Sequence, residues 1–250
     1  MPKTFVTFAT PDGTCEAYLS APDGPGRFAP VLFYMDGVGY RPAVHAMADR
    51  IAAAGYVVLL PNLFYRDGPQ GPIDIAQRMG PENRPKLIAQ VMSLTPDKVL
   101  SDAGAFLGFL AAQNNVIPGA KAGITGYCMG SSMAVRTTAR YPAQIGAAAG
   151  FHGGRLVTDD PASPHRLLAT VTAELVFGHA DQDAGMPPEA ISAFDEALAV
   201  RGLPYLSELY TGALHGFTMI DLAVYNKAAD DKHWQRLLAL FGAALQRPQN

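Results

Sequence analysis

The sequence Gly126-Tyr127-Cys128-Met129-Gly130 has the residue types and spacing of a nucleophile held on a sharp turn between a strand and a helix. Glycines two residues before and after the nucleophile fit this turn, because larger side chains would collide with the adjoining strand and helix. A thiol at the start of a helix is also favoured in its ionised form, because the helix N-terminus carries a partial positive charge. We therefore predict that Cys128 is a nucleophile, whereas Cys15 falls within a predicted strand and is predicted to be a structural thiol.

A histidine after the last predicted strand could act as the base for this thiol. His215 lies in a glycine-containing loop at that position, from which it can reach a nucleophile several strands away. His152 and His179 also stand at strand ends and are expected to line the cleft. The remaining histidines are predicted to lie on or between helices, or in a polar loop: His45, His233 and His165. The chain order of cysteine, aspartate and histidine favours His215 as the base.

Two aspartates compete as the acid that would orient this histidine. Asp181 and Asp183 both lie after the predicted strand 174–177. An acid in this loop would hold the imidazole tautomer and stabilise the imidazolium ion. Either residue could instead form a turn or cap the following helix. The residues alone leave the choice open.

Short apolar runs alternate along the chain with alanine-rich segments of helical spacing. Strands are predicted at 5–8, 15–19, 31–34, 56–60, 121–125, 145–151, 174–177 and 205–210, of which the first two are antiparallel. Helices are predicted at 42–54, 85–94, 97–113, 128–141, 188–201 and 227–246. This alternation predicts an α/β fold with a mostly parallel central sheet and helices on both faces. Ligands of such sheets bind beyond the carboxyl ends of the strands.

The 250 residues are predicted to form one domain over 1–250. Residues 62–96 interrupt the alternation and are rich in Pro, Gly, Arg and Asn. A segment this long and irregular inside a compact domain is usually functional or mobile. We predict a lid-like or substrate-facing excursion at 62–96, with a plain surface connection as an equal alternative.

The composition argues against several classes of protein. With 16% charged residues and a net charge of −3, the chain has no electrostatic footprint for nucleic acid or for an anionic membrane. Its apolar runs are too short to cross a bilayer, and its N-terminus does not resemble a signal peptide. Two cysteines make no disulfide framework, and no Cys/His cluster has zinc spacing. We predict a cytoplasmic protein with free thiols, without metal or organic cofactor and without nucleic-acid or membrane partners.

Taken together, these motifs resemble the dienelactone hydrolase family of α/β-hydrolases. The resemblance covers roughly residues 5 to 245 and rests on the segments 35–39, 54–63, 126–130, 183–187 and 215–217. It implies Cys128 as nucleophile, His215 as base and Asp183 as orienting acid, since the family acid precedes such a proline by four residues. It also implies an oxyanion hole made by the backbone N–H groups of Met129 and Gly37.

Two positions depart from the family pattern. Asp36 stands where family members carry a glutamate that helps to switch the cysteine to its thiolate, which makes Asp36 a candidate for that role despite its shorter side chain. Met219 stands where the family has an arginine that binds a substrate carboxylate. Arg78 or Arg84, in the irregular segment, could supply a cation in its place.

The resemblance implies hydrolysis of a small ester or lactone through a thioester acyl-enzyme, by a monomer or small homo-oligomer. One alternative is a general carboxylesterase or thioesterase with the same triad and a wider apolar pocket, which Met219 and the pair Phe64-Tyr65 favour. Another is a non-catalytic binding or thiol-sensing protein on a hydrolase scaffold.

Overall fold

A central eight-stranded sheet organises the protein, whose computed structural model describes residues 3–68 and 71–246. The strands are β1 Lys3–Thr10, β2 Gly13–Ser20, β3 Ala29–Tyr34, β4 Tyr56–Pro61, β5 Ala122–Tyr127, β6 Ile145–Phe151, β7 Glu174–Gln182 and β8 Tyr205–Leu214. They are ordered β1-β2-β4-β3-β5-β6-β7-β8. The pairings β1–β2 and β2–β4 are antiparallel, and the pairings from β4 to β8 are parallel.

Helices cover both faces of this sheet. They are α1 Pro42–Ala53, α2 Ile75–Met79, α3 Arg84–Ser93, α4 Pro96–Ala111, α5 Met129–Arg140, α6 Pro164–Leu167, α7 Pro188–Ala199 and α8 Lys227–Leu245. Every residue of β3, β4 and β5 is buried, as expected for central strands enclosed on both sides. The predicted α/β-hydrolase fold, with its mostly parallel sheet, is confirmed.

The last two strands are longer than the sequence predicts, and their extension positions the site. β7 and β8 remain paired past the predicted ends at 177 and 210, through a register shift between Ala180 and Gln182. Gln182 then pairs with Leu214. The two residues that follow, Asp183 and His215, therefore leave the sheet side by side.

The irregular segment 62–96 holds more helix than the sequence predicts. The predicted helix 85–94 is present as α3, and the short α2 was not predicted, because five residues carry too little periodicity to be recognised. Asp74 caps α2 by accepting a hydrogen bond from the backbone of Gln77 at 3.0 Å. The short α6 was missed for the same reason.

A buried hydrogen-bonded chain joins α8 to the end of β5. The hydroxyl of Tyr127 lies 2.9 Å from Nε2 of His233, whose Nδ1 lies 3.0 Å from Asp230. His233 is fully buried against a strand end, so its expected place on a helix surface or between helices is wrong. This chain fixes the residue that immediately precedes Cys128.

Candidate active site

Cys128 occupies the tight turn between β5 and α5. Its backbone has φ 54° and ψ −117°, a conformation that is strained for a non-glycine residue and that typically persists at functional sites. A Cβ atom placed on Gly126 would lie 2.1 Å from the carbonyl oxygen of Gly130. One placed on Gly130 would lie 2.5 Å from the carbonyl oxygen of Tyr34. The turn therefore requires glycine at both positions. The contact at Gly126 is with the adjoining helix, as predicted, whereas the contact at Gly130 is with the end of the neighbouring strand β3.

The side chains of Asp183, His215 and Cys128 form a connected chain. Nδ1 of His215 lies 2.6 Å from Oδ2 of Asp183, and the His215 ring also hydrogen-bonds to Cys128. The other oxygen of Asp183 accepts a hydrogen bond from the backbone of Gly185 at 2.8 Å, which fixes the carboxylate. Asp181, the competing acid, instead accepts a hydrogen bond from the backbone of Gly212 at 2.8 Å and supports the β8 edge.

This arrangement favours the protonated form of His215. Burial alone would lower the pKa of the imidazole, but the hydrogen bonds and charges of Asp183 and Cys128 outweigh burial and raise it to about 10. An imidazolium beside a sulfur atom stabilises the thiolate form of that sulfur. The pair can therefore supply a nucleophilic sulfur and a proton donor in adjacent positions.

Cys128 and His215 open into a largely apolar cavity of about 600 Å³. Its apolar walls come from the loop after β3, from α2 and α3, and from the loop after His215: Val38, Ile75, Ala76, Met79, Leu87, Ile88, Val91, Met92, Leu222, Ala223 and Val224. The volume falls within the range that encloses a small organic ligand. A thiol, an imidazole and an apolar enclosure thus meet beyond the carboxyl ends of the strands, where such folds bind ligands.

The model of the dienelactone hydrolase family matches residues 15–245 of this chain. The chain belongs to the dienelactone hydrolase family. A protein of Methylorubrum extorquens, provisionally named carboxymethylenebutenolidase, is 28% identical over 231 residues, covering 90% of this chain and 76% of the relative. One from a Synechocystis species with the same provisional name is 27% identical and covers 97% of both chains.

A solved structure from Klebsiella pneumoniae, provisionally named a dienelactone hydrolase, superposes with a TM-score of 0.83. It is 21% identical and covers 96% of this chain and 98% of that chain, a likeness that supports the fold. As a member of the dienelactone hydrolase family, this protein is a hydrolase that acts on esters or lactones.

The cavity wall holds one of the two residues that the family resemblance assigns to the oxyanion hole. Gly37 lines the cavity next to Cys128, and Met129 is the first residue of α5. A Cβ on Gly37 would lie 2.9 Å from Cγ2 of Val91, so α3 packs directly on this part of the loop. Gly37 shares the cavity with Cys128, and Met129 follows Cys128 directly in the chain.

Asp36, the candidate thiol switch, is engaged in a buried ion-pair network. It lines the cavity, but its two oxygens accept hydrogen bonds from Nη1 and Nη2 of Arg41 at 2.6 and 3.0 Å. Arg41 also bonds Asp221, in the loop after His215, through Nε at 2.7 Å. The network therefore ties the loop of Gly37 to the loop of His215, a role for Asp36 that the sequence did not indicate.

The three candidate substrate-binding residues have different environments. Arg84 lines the cavity. The guanidinium of Arg78 donates hydrogen bonds to Gln90 at 2.6 Å and to the carbonyl of Gly37 at 3.3 Å, so it braces the loop against α3. Met219 is fully buried in the core.

The aromatic pair that favoured a wider pocket packs elsewhere. Phe64 and Tyr65 are both buried, and the hydroxyl of Tyr65 donates to Asp102 at 2.8 Å. Neither side chain belongs to the wall of the cavity at Cys128. The apolar character of that wall comes instead from α2, α3 and the loops after β3 and after His215.

His152 is the site residue whose contacts the sequence revealed least. It lines the cavity, as expected, with φ 38° and its ring 5.3 Å from the ring of His215. Its Nε2 lies 2.8 Å from Oγ1 of Thr218, a partner 66 residues away that no local pattern reveals. Burial and the neighbouring His215 lower the pKa of His152 well below its usual value, so it is neutral. His179, expected to share this cleft, bonds Ser207 on the neighbouring strand at 3.0 Å.

Within residues 3–68 and 71–246, no group of three or more His, Cys, Asp or Glu side chains could hold a metal ion. No helix of that same part is long and apolar enough to span a membrane.

Proposed function

We propose that this hydrolase cleaves a small ester or lactone through a Cys128–His215–Asp183 triad and a thioester acyl-enzyme. The observation that carries the proposal is the chain of contacts from Asp183 through His215 to Cys128, with 2.6 Å between the carboxylate and the imidazole. Nucleophile, base and orienting acid in mutual contact are the geometric signature of acyl transfer.

In the first half-reaction, the Cys128 thiolate attacks the carbonyl carbon and forms a carbon–sulfur bond. The carbonyl oxygen becomes an oxyanion, which the backbone N–H groups of Met129 and Gly37 stabilise. One such donor is typically worth about 3 kcal/mol of barrier. The tetrahedral intermediate collapses as its carbon–oxygen ester bond breaks, and the His215 imidazolium gives its proton to the departing alkoxide.

In the second half-reaction, His215 is neutral and accepts a proton from water as that water attacks the thioester carbon. Asp183 stabilises the imidazolium that forms. The carbon–sulfur bond breaks, the carboxylic acid product leaves, and the thiolate–imidazolium pair is restored. Loss of the Cys128 charge in the acyl-enzyme removes one cause of the raised His215 pKa, which favours the neutral base that this step needs.

The substrate enters a pocket whose wall is formed in part by the segment 62–96, which we propose acts as a substrate-facing excursion of a single domain. Ile75, Met79, Leu87 and Ile88 contribute apolar surface there. A general carboxylesterase activity is the second candidate, because these walls and the buried Met219 suit an uncharged group. We place the enzyme in the cytoplasm as a monomer or small homo-oligomer without nucleic-acid or membrane partners, in keeping with two free cysteines and a net charge of −3.

The test is turnover of dienelactone and of a short series of p-nitrophenyl esters, with Cys128→Ala assayed in parallel. Dienelactone turnover that disappears in the variant would support the lactonase. Turnover of the aryl esters alone, again lost in the variant, would support the general esterase. If none of these substrates shows Cys128-dependent turnover, both the lactonase and the general esterase are refuted, and a thiol-sensing or binding protein is favoured.

A further inference from the structure

Cys128 lies on the border between two cavities. The second cavity measures about 380 Å³ and shares Val91, Met92 and Cys128 with the first. It lies between the α3–α4 junction, the first half of α5 and the loop after β6, and His215 is not among its lining residues. An ester carbonyl at Cys128 can therefore place one of its two substituents in each cavity.

The second cavity, unlike the first, carries two arginines at its rim. Arg136 donates to the carbonyl oxygen of Ala162 at 2.6 Å and so holds the loop. Asp160 also lines the cavity, and its Oδ1 accepts a hydrogen bond from the backbone of Ala162 at 2.7 Å. The guanidinium of Arg155 is exposed and makes no hydrogen bond or ion pair with other residues of 3–68 and 71–246. With two cations against one anion, the cavity has the charge to accept a monoanion.

The backbone of Arg155 is fixed to the catalytic loops. Its N–H donates to the carbonyl of Gly185 at 3.3 Å, and the N–H of Gly154 donates to the carbonyl of Cys128 at 3.4 Å. Arg155 has φ 57°, and the other non-glycine residues with positive φ in the described ranges are Cys128 and His152. His152 and Arg155 each line a cavity together with Cys128, and such strain persists where the surroundings impose a conformation, often at functional sites.

The position of His215 decides which part of an ester faces Arg155. His215 lines the first cavity, and the proton for the leaving alcohol comes from its ring. The alcohol portion therefore occupies the apolar first cavity, and the acyl portion extends into the second.

We propose that the second cavity is the acyl subsite and that Arg155 determines specificity there by binding a carboxylate at the far end of the acyl group. The substrate class is then a monoester of a dicarboxylic acid with an apolar alcohol. A carboxylate is the anion that one guanidinium fork binds with two parallel hydrogen bonds. This inference rests on the proposed function and adds to it the identity of the acyl group.

The test compares kcat/KM for two p-nitrophenyl esters of equal acyl length, the monoester of adipic acid and the ester of hexanoic acid. Arg155→Gln is expected to lower the ratio of anionic to neutral kcat/KM about tenfold, chiefly through KM, because a charge-assisted hydrogen bond is lost. Arg155→Lys should restore part of the ratio by returning the charge. Arg166, an exposed arginine outside both cavity walls, provides the matched control, and Arg166→Gln should leave the ratio unchanged.

Three results would overturn the inference. An unchanged ratio in Arg155→Gln would remove Arg155 from specificity, and a loss in Arg84→Gln instead would move the anion to the first cavity. If Arg155→Gln instead lowers the ratio of kcat/KM for 4-carboxyphenyl hexanoate to that for phenyl hexanoate, and leaves the ratio for the two acyl groups unchanged, the alcohol and not the acyl group lies beside Arg155. Lack of Cys128-dependent turnover of any ester would refute the proposed function itself, so the two failures are distinguishable.

Discussion

Removal of the Arg41 side-chain charge should destabilise the protein more than the loss of an exposed ion pair of similar geometry does. Arg41 is 2% exposed and bonds both oxygens of Asp36, which is 3% exposed. In Arg41→Met the volume is largely kept, but Asp36 becomes a buried carboxylate without its cation. The partner Asp221 is 22% exposed, so water can solvate it after the substitution.

The expected cost follows from this difference in burial. Breaking a buried ion pair by removing one partner costs about 3–5 kcal/mol, most of which reflects the stranded charge. Exposure of Asp221 limits its share to about 1 kcal/mol or less. A loss of about 3 kcal/mol corresponds to a fall in Tm of about 6–12 °C for a chain of this size. Replacement of the stranded charge in the double variant Asp36→Asn/Arg41→Met should recover at least about 1 kcal/mol relative to the sum of the single variants.

Thermal melts followed by circular dichroism measure both quantities. Arg236→Met is the matched control, since Arg236 forms a two-hydrogen-bond pair with Glu208 but is 44% exposed. Its Tm should fall by no more than about 4 °C. The reasoning fails if Arg41→Met loses no more stability than Arg236→Met, or if the double-variant cycle is additive.

Further substitutions and measurements test the site. Gly130→Ala should abolish activity or folding, because its Cβ would meet a backbone carbonyl oxygen at 2.5 Å; a variant with full activity would contradict the elbow geometry. Asp183→Asn should lower kcat/KM at least about 100-fold and move the His215 pKa from about 10 towards 6.5 in an NMR titration. Because the pKa of His215 is raised on folding, protonated His215 stabilises the folded protein fully below pH 6.5, and this stabilisation is lost as pH rises through about 10. A His215 titration midpoint near 6.5 in the unsubstituted protein would exclude this pH dependence. At pH 7 iodoacetamide should alkylate Cys128 but not Cys15, because burial and nearby acids raise the pKa of the Cys15 thiol to about 12. Mass spectrometry of the two cysteine peptides measures the labelling, and alkylation of Cys15 in preference to Cys128 would contradict the prediction.

The features predictable from sequence are those with a local steric or periodic cause. Gly126 is required by a contact with Gly130, four residues further along the chain, and the buried strands β3 and β4 are continuous apolar runs. These local signals suffice to predict the fold, because strands and helices alternate throughout the parallel part of such a sheet.

Features that depend on contacts between distant residues were not predictable. The choice between Asp181 and Asp183 depends on pairing of β7 with β8 beyond their predicted ends. The ion pair between Arg41 and Asp221 joins residues 180 positions apart, and no pattern near either residue indicates the other. Because Arg41 also donates hydrogen bonds to both oxygens of Asp36, the same contact makes Asp36 part of a buried ion-pair network. Family spacing selected Asp183, where residue types alone left two candidates.

The central claim is that Cys128 carries the acyl group during turnover. Acid quenching of the enzyme during steady-state hydrolysis of a p-nitrophenyl ester, followed by intact-mass and peptide mass spectrometry, tests it directly. The mechanism predicts an added acyl mass on the peptide that contains Cys128, removable by hydroxylamine, and no such adduct or turnover in Cys128→Ala. Turnover that persists in Cys128→Ala, or an acyl group found on another residue, would contradict the mechanism.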